Sequence, residues 1–513
     1  MKNKAILVLI FFLLPLVGSV YSIPLSYANP KKQGVFTRQE QPKPDPTAFL
    51  KLSQLVDVYA NQTLSKGNIH SLAIAVYKDG AVYHQYYGTL NPVTQQKPTD
   101  QTLYEIASIS KVFVGSLAAK AVLEHKLKLE DDIRLYLNGA YPDLTFEGAP
   151  ITIQNALTHT LGLKDKNPKQ LDHIFQQVRE GYYENRPFAY SMADLLTELK
   201  TAEVTTKPGT VYEYSSVGPE LIAYALEQVY GKPYRVLLGE FLEDLQLNQT
   251  YLYAYDQHKQ ELAVSFNEEG KVAPLLKNPL LGGSHGMLST LPDLITFMRF
   301  QLESKEPFVQ EAARLLFEDE IEGDDKGYLW DVGYGQKEGA YHGKTGTSNG
   351  VQSGILICPD SNYGMIVMMN DTAEAAQEDW GTLYNKLETA LIQYPKVNLV
   401  SLLAPDFAAN FEEGAKLYRQ LKDKKEQYIA DSFSLNNYAY ELAGEGQFDQ
   451  AIRIVEFALL LDEDKANLYD SLGEICLMNK QYDKALLHYQ MALDLDPTNE
   501  NAKRIIEEIT QRK

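Results

Sequence analysis

The types and spacing of Ser108 and Lys111 could support nucleophilic catalysis. From Lys111 onward, apolar residues recur at intervals of three and four, which predicts a helix with Ser108 in its first turn. Residues three positions apart share one helix face, so the hydroxyl and the amine are expected within hydrogen-bonding distance. This arrangement is typical of a serine nucleophile with a nearby base. The helix N-terminus would also favour a developing oxyanion.

A tyrosine further along the chain could serve as the base for this serine. Tyr214 follows Pro208-Gly209 and lies just ahead of a predicted helix, with Ser216 two positions later. Because the ordinary pKa of tyrosine is about 10, a nearby cation is needed to make it a usable base. Lys111 and Lys344 are the candidate cations. Either Tyr214 or Lys111 could therefore accept the proton.

A third stretch, residues 341–347, reads Tyr-His-Gly-Lys-Thr-Gly-Thr and opens a predicted strand. Its Gly346 would leave room for a substrate backbone beside that strand. Ser-x-x-Lys, Tyr-x-Ser and Lys-Thr-Gly, in this order, resemble the motifs of the serine β-lactamase and penicillin-binding-protein superfamily. Within it, the class C β-lactamase, D-Ala-D-Ala carboxypeptidase and esterase branch is the most similar. The flanking stretches that support the resemblance, which covers roughly residues 46–392, are 156–163, 282–290 and 344–350.

The resemblance implies a role for each of these residues. Ser108 would be acylated, Tyr214 or Lys111 would take its proton, and water would complete the cycle. The backbone N–H groups of Ser108 and Thr347 would form the oxyanion hole. Lys344 would provide positive charge for a substrate carboxylate or for Tyr214. The implied substrate-binding and oxyanion-hole residues are Lys344, Thr345, Gly346, Thr347, Ser216 and His342.

Ser216 departs from the superfamily pattern, which usually has Asn at this position. A hydroxyl is shorter than an amide and has a single proton to donate. This difference bears more on β-lactam hydrolysis than on serine chemistry itself. The substrate therefore stays open between a D-Ala-D-Ala peptide, a β-lactam and an ester. The alternative function is a non-catalytic sensor or scaffold that binds peptidoglycan-like ligands and acts through its C-terminal repeats.

The elements around these motifs predict an α+β fold for residues 48–395. A helix at 49–62 precedes a hairpin of 71–77 and 81–87, and strands return near 328–334 and dominate 340–370. The segment between them is mostly helical, including a capped helix that starts near Ile151 and closes at Gly162. One antiparallel sheet, flanked by helices and built from both ends of this region, would therefore lie beside a helical lobe.

The C-terminal region, residues 396–513, has an internal repeat of 34 residues. The recurring positions are Phe448 and Tyr482, Ala451 and Ala485, Ala458 and Ala492, and Leu461 and Leu495. This spacing resembles the tetratricopeptide repeat, with units at about 435–467 and 469–501. A helix at 407–424 is expected to cap the first unit. Because two repeats bury little surface alone, we expect them to dock on the hydrolase domain or pair with another chain. Binding of a protein partner is the other role that such repeats imply.

The N-terminus and the overall charge indicate where the protein acts. A basic start followed by an apolar run predicts a cleaved signal peptide at 1–22, with a linker at 23–47. The protein is then secreted or periplasmic, without a stable membrane span. A formal net charge of −20 argues against nucleic acid as a partner. The two cysteines and nine histidines form no ligand pattern, so neither a metal nor a cofactor is expected.

Overall fold

The computed structural model describes residues 45–180, 190–275, 281–319, 323, 325–461 and 465–511. The predicted signal peptide and nearly all of the linker lie outside the described residues. The strands in chain order are β1 (Ser71–Lys78), β2 (Ala81–Gly88), β3 (Tyr104–Glu105), β4 (Thr145–Phe146), β5 (Ala149–Pro150), β6 (Tyr251–Leu252), β7 (Met287–Ser289), β8 (Asp331–Gly335), β9 (Gly339–Thr347), β10 (Gln352–Cys358), β11 (Tyr363–Met369), β12 (Val397–Asn398) and β13 (Tyr428–Ile429).

The helices surround the strands and continue beyond them. In chain order they are α1 (Pro46–Ser65), α2 (Ser110–Leu123), α3 (Ile153–Leu157), α4 (Lys169–Arg179), α5 (Met192–Leu199), α6 (Val217–Tyr230), α7 (Tyr234–Asp244), α8 (Leu291–Glu303), α9 (Pro307–Ala312), α10 (Glu374–Gln393), α11 (Leu399–Ala409), α12 (Phe411–Leu421), α13 (Ser432–Gly444), α14 (Phe448–Leu459), α15 (Lys465–Met478), α16 (Tyr482–Leu495) and α17 (Glu500–Gln511).

The central sheet has the strand order β2-β1-β11-β10-β9-β8, and its neighbouring strands are antiparallel. It is built from both ends of the hydrolase region, so the predicted α+β architecture is confirmed. The β1–β2 hairpin pairs Lys78 with Ala81. Its two turn residues, Asp79 and Gly80, both have positive φ, at 51° and 92°. Such turns match the natural twist of paired strands, which explains why Asp-Gly is typical of tight hairpins.

Helix α2 lies between the sheet and the helical lobe. Every residue from Ser110 to Ala119 is buried. A helix that is apolar on all sides requires neighbours on all sides. One large core supplies them, and it includes Ala73 and Tyr77 from β1 together with Leu221 and Ile222 from α6. Ser108, two positions before the start of α2, is therefore held on a rigid support.

Two predicted elements differ from the observed ones. The segment predicted as a strand at 328–334 is a tight turn followed by β8, because Leu329 has a φ of 62° and the Gly327 N–H donates to the Trp330 carbonyl. The helix predicted to run to Gly162 ends at Leu157, where α3 ends. It stops early because His159 has a φ of 56°, which no α-helix accommodates.

The C-terminal region is a series of helix pairs. The pairs α13/α14 and α15/α16 correspond to the two predicted repeats, and Ala451, Ala458, Ala485 and Ala492 are all buried. The prediction of a single helix at 407–424 is wrong. Asn410 is extended there, and its side chain caps α12 by accepting from two backbone N–H groups. A further pair, α11/α12, therefore precedes the first repeat.

The first of these helix pairs packs against the hydrolase domain. Leu403 and Phe407 of α11 belong to the same apolar cluster as Leu52 of α1 and Trp380 of α10. Strand β12 lies before this helix pair and β13 lies after it, and the two strands pair in parallel. The repeats are thus docked on the hydrolase domain, one of the two arrangements expected. Within the described residues, no helix combines the length and apolar character that crossing a bilayer needs.

Shortening Leu403 is predicted to weaken this junction. Leu403→Ala should reduce the free energy of unfolding by about 2–4 kcal/mol, because it leaves a cavity in a shared core. Leu460→Ala is the control, since Leu460 is 76% exposed in the same region, and its effect should stay within about 0.5 kcal/mol. Urea titration followed by circular dichroism measures both variants. Equal effects of the two substitutions would contradict the shared core.

Candidate active site

Ser108 lies in a 3-10 turn, Ala107–Ile109, that leads directly into α2. Ala107 has a φ of 45°, a backbone conformation that is uncommon for a residue with a side chain. Such strain is maintained only where the surroundings enforce it. Two neighbours do so here. Met287 of β7 accepts from the Ile106 N–H, and the backbone of Gly346 in β9 packs directly against residues 106–109.

Gly346 therefore has a different role from the one predicted. A Cβ at this position would lie 2.5 Å from the Ile106 carbonyl oxygen and 2.9 Å from the Ser108 nitrogen. Both distances are shorter than any tolerable contact, so the strand approaches the nucleophile turn only because residue 346 is glycine. The missing side chain makes room for this chain's own backbone.

The Ser108 hydroxyl has two polar partners. The Lys111 ammonium donates to Ser108 Oγ at 2.9 Å, and the Tyr214 hydroxyl lies 2.7 Å from the same atom. Lys111 also donates to the Ser284 carbonyl at 2.8 Å. The structure thus brings together the three residues that the sequence proposed as nucleophile and base.

Tyr214 is positioned by the loop before α6 and by a histidine. The His159 ring lies 4.6 Å from the Tyr214 ring, and His159 Nδ1 accepts from the Ser215 N–H at 3.3 Å. Burial, together with the charges of Lys344 and Lys111, holds the pKa of His159 well below its ordinary value. His159 is therefore a neutral support for the tyrosine loop.

Two lysines adjust the acidity of Tyr214. Burial alone would raise the pKa of Tyr214, but the charges of Lys111 and Lys344, with hydrogen bonds to Lys111 and Ser108, lower it below the ordinary value. The two ammonium groups lie 5.0 Å and 5.4 Å from the centre of its ring. An opposite charge at such distances favours the phenolate. This is the property that a tyrosine base needs.

Lys344 is held in place by Asp331, a residue that the sequence did not single out. Asp331 accepts from Lys344 at 2.9 Å and from Lys326 at 2.8 Å. Desolvation opposes ionisation of Asp331, but the two lysines prevail and lower its pKa to about 2. Two cations thus share one anion next to the catalytic tyrosine candidate. Held in this way, the Lys344 ammonium lies 5.4 Å from the centre of the Tyr214 ring and helps to lower the pKa of that tyrosine.

A cavity of about 130 Å³ opens in front of Ser108. Its walls come from both the sheet side and the helical lobe. The residues that line it are Glu105, Ala107, Ser108, Lys111, Phe175, Tyr214, Ser216, Tyr255, Ser284, His285, Gly286, Met287, Thr347 and Ser348. Ser108 and Thr347, the two proposed oxyanion-hole residues, therefore border the same space.

Other predicted substrate-binding residues lie elsewhere. His342 is buried against Trp330, with the ring centres 4.8 Å apart, and does not line the cavity. It was placed wrongly because strand residues alternate between faces. Thr345 is exposed and also lies outside the cavity lining. Lys344 borders Tyr214 rather than the cavity itself.

Ser216 lines the cavity. Its hydroxyl occupies the position where the superfamily usually has an asparagine amide. Its backbone N–H donates to the Asn167 side-chain oxygen at 3.1 Å. The Ser284 carbonyl, described above, gives Lys111 an acceptor besides Ser108. Lys111 is therefore oriented without any contribution from an asparagine at position 216.

Glu105, Ser284 and His285 are among the cavity residues that were not assigned a role from the sequence. Ser284 and His285 fall within the Gly-rich stretch 282–290, so that motif was the available signal. Glu105 lies three positions before Ser108, and the pairing of β3 with β7 fixes it beside the cavity, but no motif marked it. Among the described residues, no group of three or more His, Cys, Asp or Glu side chains could hold a metal ion.

This fold and site define a β-lactamase-like serine hydrolase architecture. The family model described as Beta-lactamase matches residues 51–387, and a tetratricopeptide-repeat model matches residues 466–499. Because the first match covers more than half of the sequence, the chain belongs to the beta-lactamase family. The resemblance inferred from the motifs is confirmed, as is the C-terminal repeat.

The individual relatives have low sequence identity to this chain. Protein flp of Staphylococcus aureus (strain MRSA252) is 23% identical over 369 residues, which is 70% of this chain and 70% of flp. A beta-lactamase of Pseudomonas fluorescens is 26% identical over 253 residues, covering 49% of this chain and 65% of the relative.

Solved structures share the fold. A beta-lactamase/D-alanine carboxypeptidase from Yersinia pestis, complexed with citrate, superposes with a TM-score of 0.58 at 21% identity, covering 67% of this chain and 99% of that one. The octameric penicillin-binding protein homologue from Pyrococcus abyssi superposes with a TM-score of 0.56 at 21% identity, covering 65% and 77%.

Removing the charge of Lys344 is predicted to raise the pKa of Tyr214. Lys344→Met deletes a cation that lowers this pKa, so the phenolate should form at higher pH than in the native protein. The difference in phenolate absorbance between each protein and its Tyr214→Phe counterpart isolates this one titration. Lys337→Met, in the exposed turn between β8 and β9, is the control and should leave the titration unchanged. An unchanged titration in Lys344→Met would contradict the electrostatic coupling.

Proposed function

We propose that this protein is an exported serine hydrolase that forms an acyl-enzyme on Ser108. The observation that carries the proposal is the pair of contacts to Ser108 Oγ, from Lys111 at 2.9 Å and from Tyr214 at 2.7 Å. A serine in this setting has a proton acceptor in contact and a neighbouring ammonium group. Membership of the beta-lactamase family supports the same chemistry.

The proposed reaction begins with transfer of the Ser108 hydroxyl proton to the Tyr214 phenolate. Ser108 Oγ then bonds to the substrate carbonyl carbon, and the carbonyl oxygen becomes an oxyanion that accepts from the N–H groups of Ser108 and Thr347. The intermediate collapses as the bond to the leaving group breaks and Tyr214 returns the proton to that group. Water then attacks the ester with the same residues, which releases the acid and restores Ser108.

Lys111 and Lys344 act on this cycle through charge. Both stabilise the tyrosine as a phenolate. Lys111 stays oriented through Ser284, and Lys344 through Asp331. Tyr214 is therefore the better candidate for the base, and Lys111 the group that holds Ser108 and supports the phenolate.

The proposed substrates are small acyl compounds outside the cytoplasm: a D-Ala-D-Ala peptide, a β-lactam or an ester. The predicted signal peptide supports export to the periplasm or the medium. The solved relatives include a beta-lactamase/D-alanine carboxypeptidase, which favours the first two classes. Protein flp, whose name specifies no activity, does not discriminate among them.

A non-catalytic sensor of peptidoglycan-like ligands is the second candidate. Ser216 favours it, because the position usually held by an asparagine amide has only a hydroxyl. The repeats favour the sensor as well. Because their helices are docked on the hydrolase domain, ligand binding in the cavity could change how the repeats bind a protein partner. The presence of Ser108, Lys111 and Tyr214 in mutual contact favours the hydrolase.

Intact-protein mass after mixing with a penicillin tests the proposal. We expect native protein to gain the mass of one penicillin, because Ser108 Oγ opens the lactam and keeps the whole molecule as an ester. Ser108→Ala is the matched control and should gain none. A lasting adduct indicates a penicillin-binding peptidase, and an adduct that clears to opened penicillin indicates a β-lactamase.

If penicillin leaves no adduct, esters and D-amino peptides are the next substrates, monitored by product release. Turnover that disappears in Ser108→Ala would keep the serine hydrolase and exclude β-lactams as its substrates. No turnover of any of these classes would overturn the enzyme proposal and leave the sensor.

A further inference from the structure

A second cavity lies where the hydrolase domain meets the C-terminal helix pairs, and we call it the junction groove. Its volume is about 330 Å³, against about 130 Å³ in front of Ser108, which is within the range of small-ligand sites. Helices α1 and α10 of the hydrolase domain line one side, and α11 and α13 line the other. The proposed reaction does not use this groove.

Two helix faces form the long walls of the junction groove. On α10 and on α13 the lining residues recur at intervals of three and four positions, so each set occupies one face of its helix. They are Thr382, Asn385 and Thr389 on α10, and Ser434, Asn437 and Glu441 on α13. The Lys386 ammonium of α10 donates to Glu441 of α13 at 2.8 Å. This ion pair joins the hydrolase wall to the repeat wall.

Hydrogen bonds fix the repeat side of the groove. The Asn398 side chain donates to Ser434 Oγ at 3.0 Å, and its oxygen accepts from the Ser401 N–H at 3.0 Å. The Tyr438 hydroxyl donates to the Ala404 carbonyl at 3.4 Å. These contacts tie α13 to the first turns of α11. The groove is therefore formed before any ligand arrives, which lowers the entropy cost of binding.

Three side-chain amides line the groove from three helices: Gln62 from α1, Asn385 from α10 and Asn437 from α13. Asn385 and Asn437 are exposed, and Gln62 is half-buried. Within the described residues, none of these amides has a hydrogen-bond partner. Each offers an N–H donor and an oxygen acceptor. A peptide group has the matching acceptor and donor, so the main chain of a polypeptide fits this set.

The other lining groups argue against a sugar or a chain terminus. The aromatic rings of the lining belong to Tyr59 and Tyr438, which are 6% and 9% exposed, so neither presents a ring face to a ligand. The charged side chains of the lining, Lys386 and Glu441, are paired with each other. A terminal carboxylate or amine would have to break this pair to gain an opposite charge there. The interior of a chain needs no such charge.

We propose that the junction groove binds an internal, uncharged segment of a partner polypeptide, extended and recognised through its main-chain amides. From Ser434 to Glu441 the α13 wall is about 10 Å long, which about three residues of extended chain span. Hydrolase and repeat residues bind the same segment, so the site exists only while the repeats stay docked. The inference goes beyond the proposed hydrolase, because it does not depend on acylation of Ser108.

N-acetyl-trialanine N-methylamide is the probe, titrated against the full chain with Ser108→Ala so that no turnover consumes it. Saturation-transfer NMR gives its Kd. We expect saturable binding, at least about threefold tighter than that of the analogue N-methylated at every amide, which lacks the N–H donors. Unblocked trialanine should also bind at least about threefold more weakly, because its charged ends lose hydration without gaining a partner.

Two results would overturn this assignment. Equal affinity for the N-methylated analogue would mean that the main chain is not recognised. Cellobiose, a neutral disaccharide, should show no saturable binding. Binding of cellobiose without binding of the blocked peptide would make the groove a sugar site instead.

Matched variants locate the bound peptide. Asn385→Leu and Asn437→Leu remove one amide from each domain while keeping a side chain of similar shape at an exposed position. Each should weaken binding of the blocked peptide about two- to tenfold, the range for one neutral hydrogen bond. Asn61→Leu is the control, because Asn61 is exposed on α1 outside the groove lining, and it should leave the Kd unchanged. A loss in only one of the two variants contradicts a site shared by both domains, and a loss in neither refutes binding in the groove.

Discussion

Burial of three lysine ammonium groups, two beside Tyr214 and one beside Tyr212, is the constraint on which the site depends. Lys111, Lys326 and Lys344 are 2%, 3% and 6% exposed. A buried charge is costly unless hydrogen bonds or opposite charges compensate it. Lys111 meets this requirement through Ser108 and Ser284, whereas Lys326 and Lys344 share Asp331. Helix α2, the loop before β7 and strands β8 and β9 must all meet at one point for these contacts to exist.

The parts of this arrangement that depend on local spacing could be predicted from the sequence. Ser108 and Lys111 are one helical turn apart, so their contact follows from helix geometry. The Asp79-Gly80 turn specifies its hairpin, and the 34-residue period specifies the helix pairs. Each of these signals involves residues that are close in the chain or repeat at a fixed interval.

The parts that depend on distant contacts could not be predicted. Asp331 becomes the partner of Lys344 only when β8 pairs with β9, and Glu220 reaches Ser284 across 64 positions. His342 was misplaced because a motif gives order along the strand but not which face reaches the cavity. The periodic stretch 407–424 predicted one helix, but α11 ends before Asn410. The Asn410 side chain accepts from backbone N–H groups and so starts a new helix, α12. The sequence indicated that a glycine is needed at position 346. It did not indicate that the group packed against this glycine is the nucleophile turn, because that contact joins residues distant in the chain.

The apolar junction between α11, α1 and α10 has a consequence for any partner that the repeats bind. A module on a flexible linker samples many positions, and its effective concentration at another site follows the linker length. Here the first helix pair shares a core with the hydrolase domain, so a ligand held on the following repeats would stand at a set distance and orientation from the cleft. Proximity would then be a property of the fold and not of a linker length.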